Sequence, residues 1–277
     1  MGRKGNSGYT NPDFRTGNIS TGYSGSLGFT QHYLERRDGD LPPELQPYPG
    51  YTVWSRSTQG VTEDGSNNVS QWDDLSGNDN HFKQGTSGDY PAYNSSNSVL
   101  NDLPSIDAAN GDSMETDDDS SLDASGGFCL YVVAKRNSYP SMFSFFVSRT
   151  NGTTWSTGWG IYYYDGVLRL FVDYWNTSAK RVELNSPGTS DVNIYKFHYD
   201  ETTITGEIIG PDADSDTQAQ TSTDINASGE GISLNRGGSD FYDGDWDYGE
   251  VLWYPAPLST EGQEITENYL KRRYDIS

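Results

Sequence analysis

Val69-Ser-Gln-Trp-Asp-Asp-Leu-Ser-Gly-Asn-Asp-Asn-His81 sets the reading of the chain. A β-forming run ends at Trp72 and opens into a polar loop. Asp73, Asp74, Ser76, Asn78 and Asn80 can each bond their own backbone, and Gly77 can take a positive φ. Such a loop folds on itself instead of pairing with a strand, which predicts a rigid surface corner held by Asx turns. The functional alternative is a calcium or sugar site, because clustered carboxylate and amide oxygens suit a hard cation.

On either side of this loop the apolar period is two nearly everywhere. Tyr51–Trp54 alternates as a strand, and Thr62–Asn68 reads as a turn. Phe128–Lys135 is the clearest buried strand, with Ser141–Ser148 expected as its antiparallel neighbour. Trp159–Val172 predicts a hairpin turning at Asp165-Gly166, a strong two-residue turn signal. Tyr195–Tyr199 and Thr202–Ile209 form a second pair about Asp200-Glu201, Gly210–Thr223 reads as a long polar excursion, and Gly249–Tyr254 is the closing strand. The period changes once, to 3.6. Ser259 caps a helix running to about Arg272, with Ile265, Tyr269 and Leu270 expected to face the sheet.

Composition agrees with many short strands. Among 277 residues are 20 Tyr, 10 Phe, 7 Trp and 31 Gly. The formal charge is −22, unevenly spread. Residues 1–37 carry Arg3, Lys4, Arg15, Arg36 and Arg37 against Asp13 and Glu35, a net of +3, which leaves −25 on the remainder. So acidic a body repels nucleic-acid phosphates and anionic membranes. Cys129, the one cysteine, sits between Phe128 and Leu130 and reads as a small buried residue. Residues 1–20 lack an apolar export core, and no run approaches a membrane span.

Several stretches together resemble concanavalin A-like, laminin-G-like jelly-roll domains. They are Trp72-Asp73-x-Leu75-Ser76-Gly77-Asn78-x-Asn80-His81, Asn101–Ile106, Phe128–Lys135, Gly158–Tyr162, Ile225–Arg236, and Phe241–Asp245 through Glu250–Tyr254 to the closing helix. The resemblance covers about residues 48–276. It implies an all-β sandwich of two antiparallel sheets over residues 48–277, with a short C-terminal helix. Laminin-G-like domains sometimes hold calcium, so a calcium ion is compatible with it, but no ligand set is assigned and no other cofactor is implied. It does not fix an activity.

Residues 1–47 read as an extended N-terminal arm: apolar anchors are too sparse for a core, too aromatic for a plain linker. Gly5–Gly8, then Gly25–Gly39 and Pro42, resemble a leader found on structural proteins of tailed, notably marine, bacteriophages, although Leu41 stands where that leader has Trp. The resemblance implies a virion location and docking of the arm to other virion proteins. The arm residues expected to dock are Tyr9, Phe14, Leu27, Phe29, Tyr33, Leu34, Arg36 and Arg37. Ser26–Arg37 could form one short helix there. A homo-oligomer within the particle and adhesion to host-surface glycans follow as expectations.

The E-x-D-x-x-E and E-x-D-x-E strands of retaining glucanases, which set two carboxylates on one face, are absent from the sequence. So are HExxH, CxxC, Walker and GxSxG motifs. Asp243, Asp245 and Asp247 alternate on one face without a glutamate partner, and His198 in Phe197-His-Tyr199 reads as structural. The chain is therefore expected to be non-enzymatic, with a bacterial-surface carbohydrate adhesin and a divergent glycoside hydrolase as alternatives. For glycan binding, Trp155, Trp159, Trp175 and Trp246 lie in or near loops and are the candidates for stacking on sugar rings, with core or hairpin packing as the competing use of such large rings.

Overall fold

The computed structural model describes residues 46–109, 111–139, 143–151, 155, 157–173, 181–220, 225–236 and 244–277. The docking residues Tyr9, Phe14, Leu27, Phe29, Tyr33, Leu34, Arg36 and Arg37, the helix expected over Ser26–Arg37, and Trp175 lie outside them. The described chain forms two antiparallel sheets packed face to face, with one C-terminal helix, as the sequence predicts.

In chain order the strands are β1 (Val53–Arg56), β2 (Val61–Glu63), β3 (Val69–Trp72), β4 (Phe82–Lys83), β5 (Ala92–Asn97), β6 (Leu103–Ala108), β7 (Met114–Glu115), β8 (Phe128–Arg136) and β9 (Phe143–Thr150). They continue with β10 (Gly158–Tyr164), β11 (Val167–Val172), β12 (Arg181–Asn185), β13 (Val192–Tyr199), β14 (Thr203–Ile209), β15 (Asp214–Ala219), β16 (Ser233–Leu234) and β17 (Trp246–Tyr254). One sheet has eight strands, in the order β15-β14-β13-β8-β17-β6-β5 with β1 paired to the second half of β17. The other has nine, in the order β12-β11-β10-β9-β16-β7-β4-β3-β2.

Alternation decides what lies between the sheets. Leu130, Val132 and Ala134 of β8, Ile161 of β10, Leu168 and Leu170 of β11, and Trp253 of β17 point inward and are buried. Trp159 stacks on Trp253 at 4.9 Å and 16°, with Phe128 tilted against both at 5.4 and 4.9 Å. Offset and tilted pairs are the arrangements that aromatic quadrupoles favour.

The helix α1 (Thr260–Tyr274) covers the outer face of the eight-stranded sheet. Ser259 caps it, accepting the Gly262 N–H at 3.2 Å. Tyr269, Leu270 and Tyr274 pack on Tyr131, Val133, Leu252 and Tyr254. Ile265 is 39% exposed, not on the sheet as expected; buried Thr266 takes that stripe and donates its hydroxyl to the Gly262 carbonyl at 2.9 Å.

Two connections differ from the sequence reading. The strand after β8 is not its hairpin partner: β8 pairs with β13 and β17, and β9 crosses to the other sheet. Consecutive strands can pair or cross between layers with the same alternation, so period alone does not separate the two. The polar excursion over 210–223 contains β15, an edge strand on β14. Its Asp214 and Asp216 carboxylates accept the N–H groups of Asn185 and Glu183 at 2.7 and 3.0 Å, so side chains satisfy the free edge of β12. The Asp165-Gly166 turn is as predicted: Tyr164 pairs with Val167, and φ values of 51° and 80° give the primed geometry that matches strand twist.

Candidate functional site

The loop that decided the fold is a structural corner. Asp74 Oδ1 accepts the backbone N–H groups of Trp54 and Ser76 at 2.8 and 2.9 Å, while Oδ2 accepts the Ser76 hydroxyl at 2.6 Å and the Asn80 N–H at 3.2 Å. Asn80 reaches across to the Thr52 carbonyl and the Ser121 hydroxyl at 2.7 and 2.8 Å. Four donors already converge on the one buried carboxylate, so this loop does not fit a calcium ion. The acidic run 117–119 is likewise committed: Asp117 pairs with Lys83, Asp118 with Arg149, and Asp119 accepts the Ser121 N–H. Among the described residues no group of three His, Cys, Asp or Glu side chains is arranged to hold a metal ion.

The tryptophan candidates are corrected by burial. Trp159 and Trp246 are core rings, and Trp155 lies against Phe143 and Phe145 at 5.4 and 5.0 Å with 6% of its surface exposed. Their faces are spent on neighbouring rings, which is how large aromatics at strand ends gain most from burial. Cys129 is buried as expected, with its thiol pushed up to about 12 by burial. Burial lowers the His198 ring below its ordinary value. Asp243 lies outside the described residues, and buried Asp247 is held by Asn97 at 2.8 Å.

Outward-facing residues of the nine-stranded sheet carry the candidate site. One cross-strand row runs through Thr62, Gln71, Lys83, Glu115, Ser233, Ser148, Gly160, Phe171 and Arg181, one residue from every strand. Its middle is buried. Gly160 sits under the rings of Phe171 and Phe145, and a Cβ there would come within 2.7 Å of Phe171. Its two ends are polar and open.

At the β4–β7 end is a cleft of about 210 Å³ lined by Lys83, Gln84, Ser113, Glu115, Asp117 and Arg236, among others. Lys83 Nζ lies 2.6 Å from Asp117, and Arg236 Nη1 lies 3.9 Å from Glu115. Gln84 donates to the Ser113 carbonyl at 2.9 Å and to its hydroxyl at 3.2 Å. Burial raises the Glu115 carboxyl above its usual range, opposed by the Ser233 hydroxyl and the Arg236 charge. The cleft is smaller than the roughly 300–1,000 Å³ of drug-sized pockets. Two cations, two carboxylates, an amide and a hydroxyl at this scale match a single polyhydroxylated ring. No sequence motif marks it, since its residues come from three separate segments.

A second group of carboxyls lies on the outer face of the eight-stranded sheet. Asp107 pairs across strands with Asp247, which faces Lys135 at 3.7 Å. Burial first, then the Asp247 charge, pushes Asp107 up to about 6.

Neither a protein-family model nor a curated protein matches the sequence. Solved structures do share the fold. The binding domain of Paraclostridial Mosquitocidal Protein 1 matches with TM-score 0.52 and 13% identity, over 81% of this chain and 52% of that one. An arabinofuranosidase complexed with arabinofuranosyl-alpha-1,2-xylobiose matches with TM-score 0.55 and 13% identity, over 83% of this chain and 61% of that one. Trypanosoma rangeli sialidase in complex with the inhibitor DANA matches with TM-score 0.52 and 11% identity, over 83% and 34%. The chain therefore spans less than two thirds of each, and at these identities the likeness establishes the fold alone. It also corrects the expectation of a non-enzymatic chain. Glycosidases contain this sandwich as a binding domain does, so the missing glucanase motif excludes one branch and leaves enzymatic status undetermined.

Proposed function

We propose that this chain is a glycan-recognising β-sandwich module of a bacteriophage particle, anchored by its N-terminal arm and displaying the sandwich towards the host surface. The glycan reading is carried by the Lys83–Glu115–Asp117–Arg236 cleft, where paired charges and an amide converge on a volume that suits one sugar ring. The neighbours support it in kind: one is a binding domain, and another is complexed with an oligosaccharide. The particle reading rests on the leader resemblance at 5–8 and 25–42 and on a basic arm preceding an acidic body.

Each half has its own experiment. Binding of the full chain to a printed glycan array should select a small set of saccharides, and Glu115→Gln and Lys83→Gln should each abolish that selection. Equal array profiles for wild type and both variants would remove the cleft from the reading. Immunogold labelling of phage particles with antibody to residues 46–277 should decorate virions; bare particles would leave a free lectin. Reducing-sugar release from the selected glycan, measured in the same preparations, decides catalysis.

A further inference from the structure

The other end of the outward row brings two arginines together, with 14% and 17% of their side chains exposed. On β11 and β12, Arg169 and Arg181 share one carboxylate: Glu183 Oε1 takes Arg169 Nε at 3.0 Å, and Arg181 Nε and Nη2 at 2.9 Å each. Among the described residues neither guanidinium has another ion pair. A further carboxylate on the edge, Asp216, accepts the Glu183 backbone N–H at 3.0 Å and keeps its charge. The patch thus gathers two guanidiniums, faced by Glu183 and by the edge carboxylate of Asp216, on a molecule of net −22. Among the described residues, both Nη groups of Arg169 and Nη1 of Arg181 meet no carboxylate, and both guanidiniums face the buried Tyr162 hydroxyl. A planar fork with free donors matches a second carboxylate in bidentate fashion, which a lysine would not.

Tyr164 stands beside this pair. Its ring is 44% exposed, unlike nearly every other large apolar side chain described. One side of it is fixed: the Arg169 guanidinium lies 5.1 Å from its centroid, and the Phe143 ring meets it edge-on at 5.9 Å. The hairpin register puts Tyr164, Arg169 and Glu183 on the same outward face, so their positions are held by strands and not by a loop. A strand-held exposed ring next to a guanidinium is a stacking platform with a charge anchor.

Resting on the glycan-binding reading, we propose that Arg169, Arg181 and Tyr164 form a subsite for an acidic sugar, a uronate or sialate unit, whose carboxylate pairs with the two guanidiniums while its ring lies on Tyr164. Glu183 is the internal competitor that occupies one oxygen's worth of the anchor. The acidic remainder of the chain repels polyanions at long range, so recognition is confined to this patch.

The test uses the full chain and isothermal titration at 0.15 M salt with two matched probe pairs: trigalacturonate against its methyl ester, and 3′-sialyllactose against lactose. One acidic member is expected to bind about tenfold or more tightly than its uncharged counterpart, the scale of a bidentate charge-assisted pair. Arg181→Gln is expected to erase that preference and Tyr164→Ala to weaken both members of the pair. Glu183→Gln, which frees the anchor, is expected to tighten acidic binding several-fold, a change that damage to the fold would not produce. Near-UV circular dichroism confirms that each variant is folded. Equal affinity within both pairs, or an unchanged preference in folded Arg181→Gln, overturns the subsite. Saccharide binding that is lost in Glu115→Gln, with no acidic preference in the wild type, overturns the subsite while sparing the cleft. Absence of any saccharide binding by the wild type overturns both.

Discussion

Asp74 holds Trp54 from twenty residues away: its buried Oδ1 accepts the Trp54 backbone N–H at 2.8 Å. This bond ties the corner after β3 to the first strand of the opposite sheet. Asp74→Ala would orphan the N–H groups of Trp54, Ser76 and Asn80 together. Each unsatisfied buried group costs about 1–3 kcal/mol. Shared relaxation makes the total on the order of 3 kcal/mol, so the midpoint of thermal unfolding should fall by several degrees. Asp74→Asn, which keeps one acceptor, should cost visibly less. A wild-type midpoint in both variants would mean the corner does not depend on the carboxylate.

Glu250 is the buried hub beneath α1. Its Oε1 accepts Trp54 Nε1 and the Tyr269 hydroxyl, both at 2.7 Å, and its Oε2 accepts the Tyr274 hydroxyl at 3.1 Å and faces Arg273 Nε at 3.2 Å. Removing one partner of a buried charged pair typically costs about 3–5 kcal/mol. Glu250→Ala should therefore release the helix. Hydrogen exchange is expected to show the amides of 262–274 losing protection before those of β8. Loss of protection in both at the same rate would place Glu250 in the global core and not in helix docking.

How far the sequence announced this architecture follows from which signals are local. Asp165-Gly166 and the Ser259 cap act over a few residues, and both elements formed where their chemistry placed them. The Asp74 corner was legible for the same reason, because Asx turns close on their own backbone. Sheet membership was not. The alternation of Phe143–Thr150 is the same whether β9 pairs with β8 or crosses to the facing layer. The tryptophans misled because residues near a loop can still turn inward, as Trp159 does one residue after Gly158. The cleft was hidden because Lys83, Glu115 and Arg236 meet only through the pairings of β4, β7 and β16.

Gly160 tests the buried middle of the outward row. A Cβ at this position would meet Phe171 at 2.7 Å and Phe145 at 3.0 Å, both parts of packed rings. Overpacking of this kind costs about 1–3 kcal/mol. Gly160→Ala should lower stability by that amount and disturb the near-ultraviolet signal of the Phe143–Trp155–Tyr162 stack. A silent spectrum with unchanged stability would show that the rings can swing aside.

Asp107 sets a pH dependence of definite sign. Its folded-state carboxyl is raised to about 6 from an ordinary 3.8, by burial and by the facing Asp247. The folded state therefore holds its proton more tightly than the unfolded chain does. The associated stability is fully present below pH 3.8 and is lost as pH rises through 6. The group is partly exposed, so solvent screening reduces the effect to on the order of 1 kcal/mol. Carbon-13 titration of the Asp107 carboxyl should give a midpoint near 6 in the wild type. Asp247→Asn removes the repulsion but not the burial, so the midpoint should fall part of the way towards 3.8. A midpoint already at the ordinary value in the wild type would mean that water reaches this pair freely. A midpoint unmoved by Asp247→Asn would leave burial, with the Asp245 and Asp112 charges, as the cause.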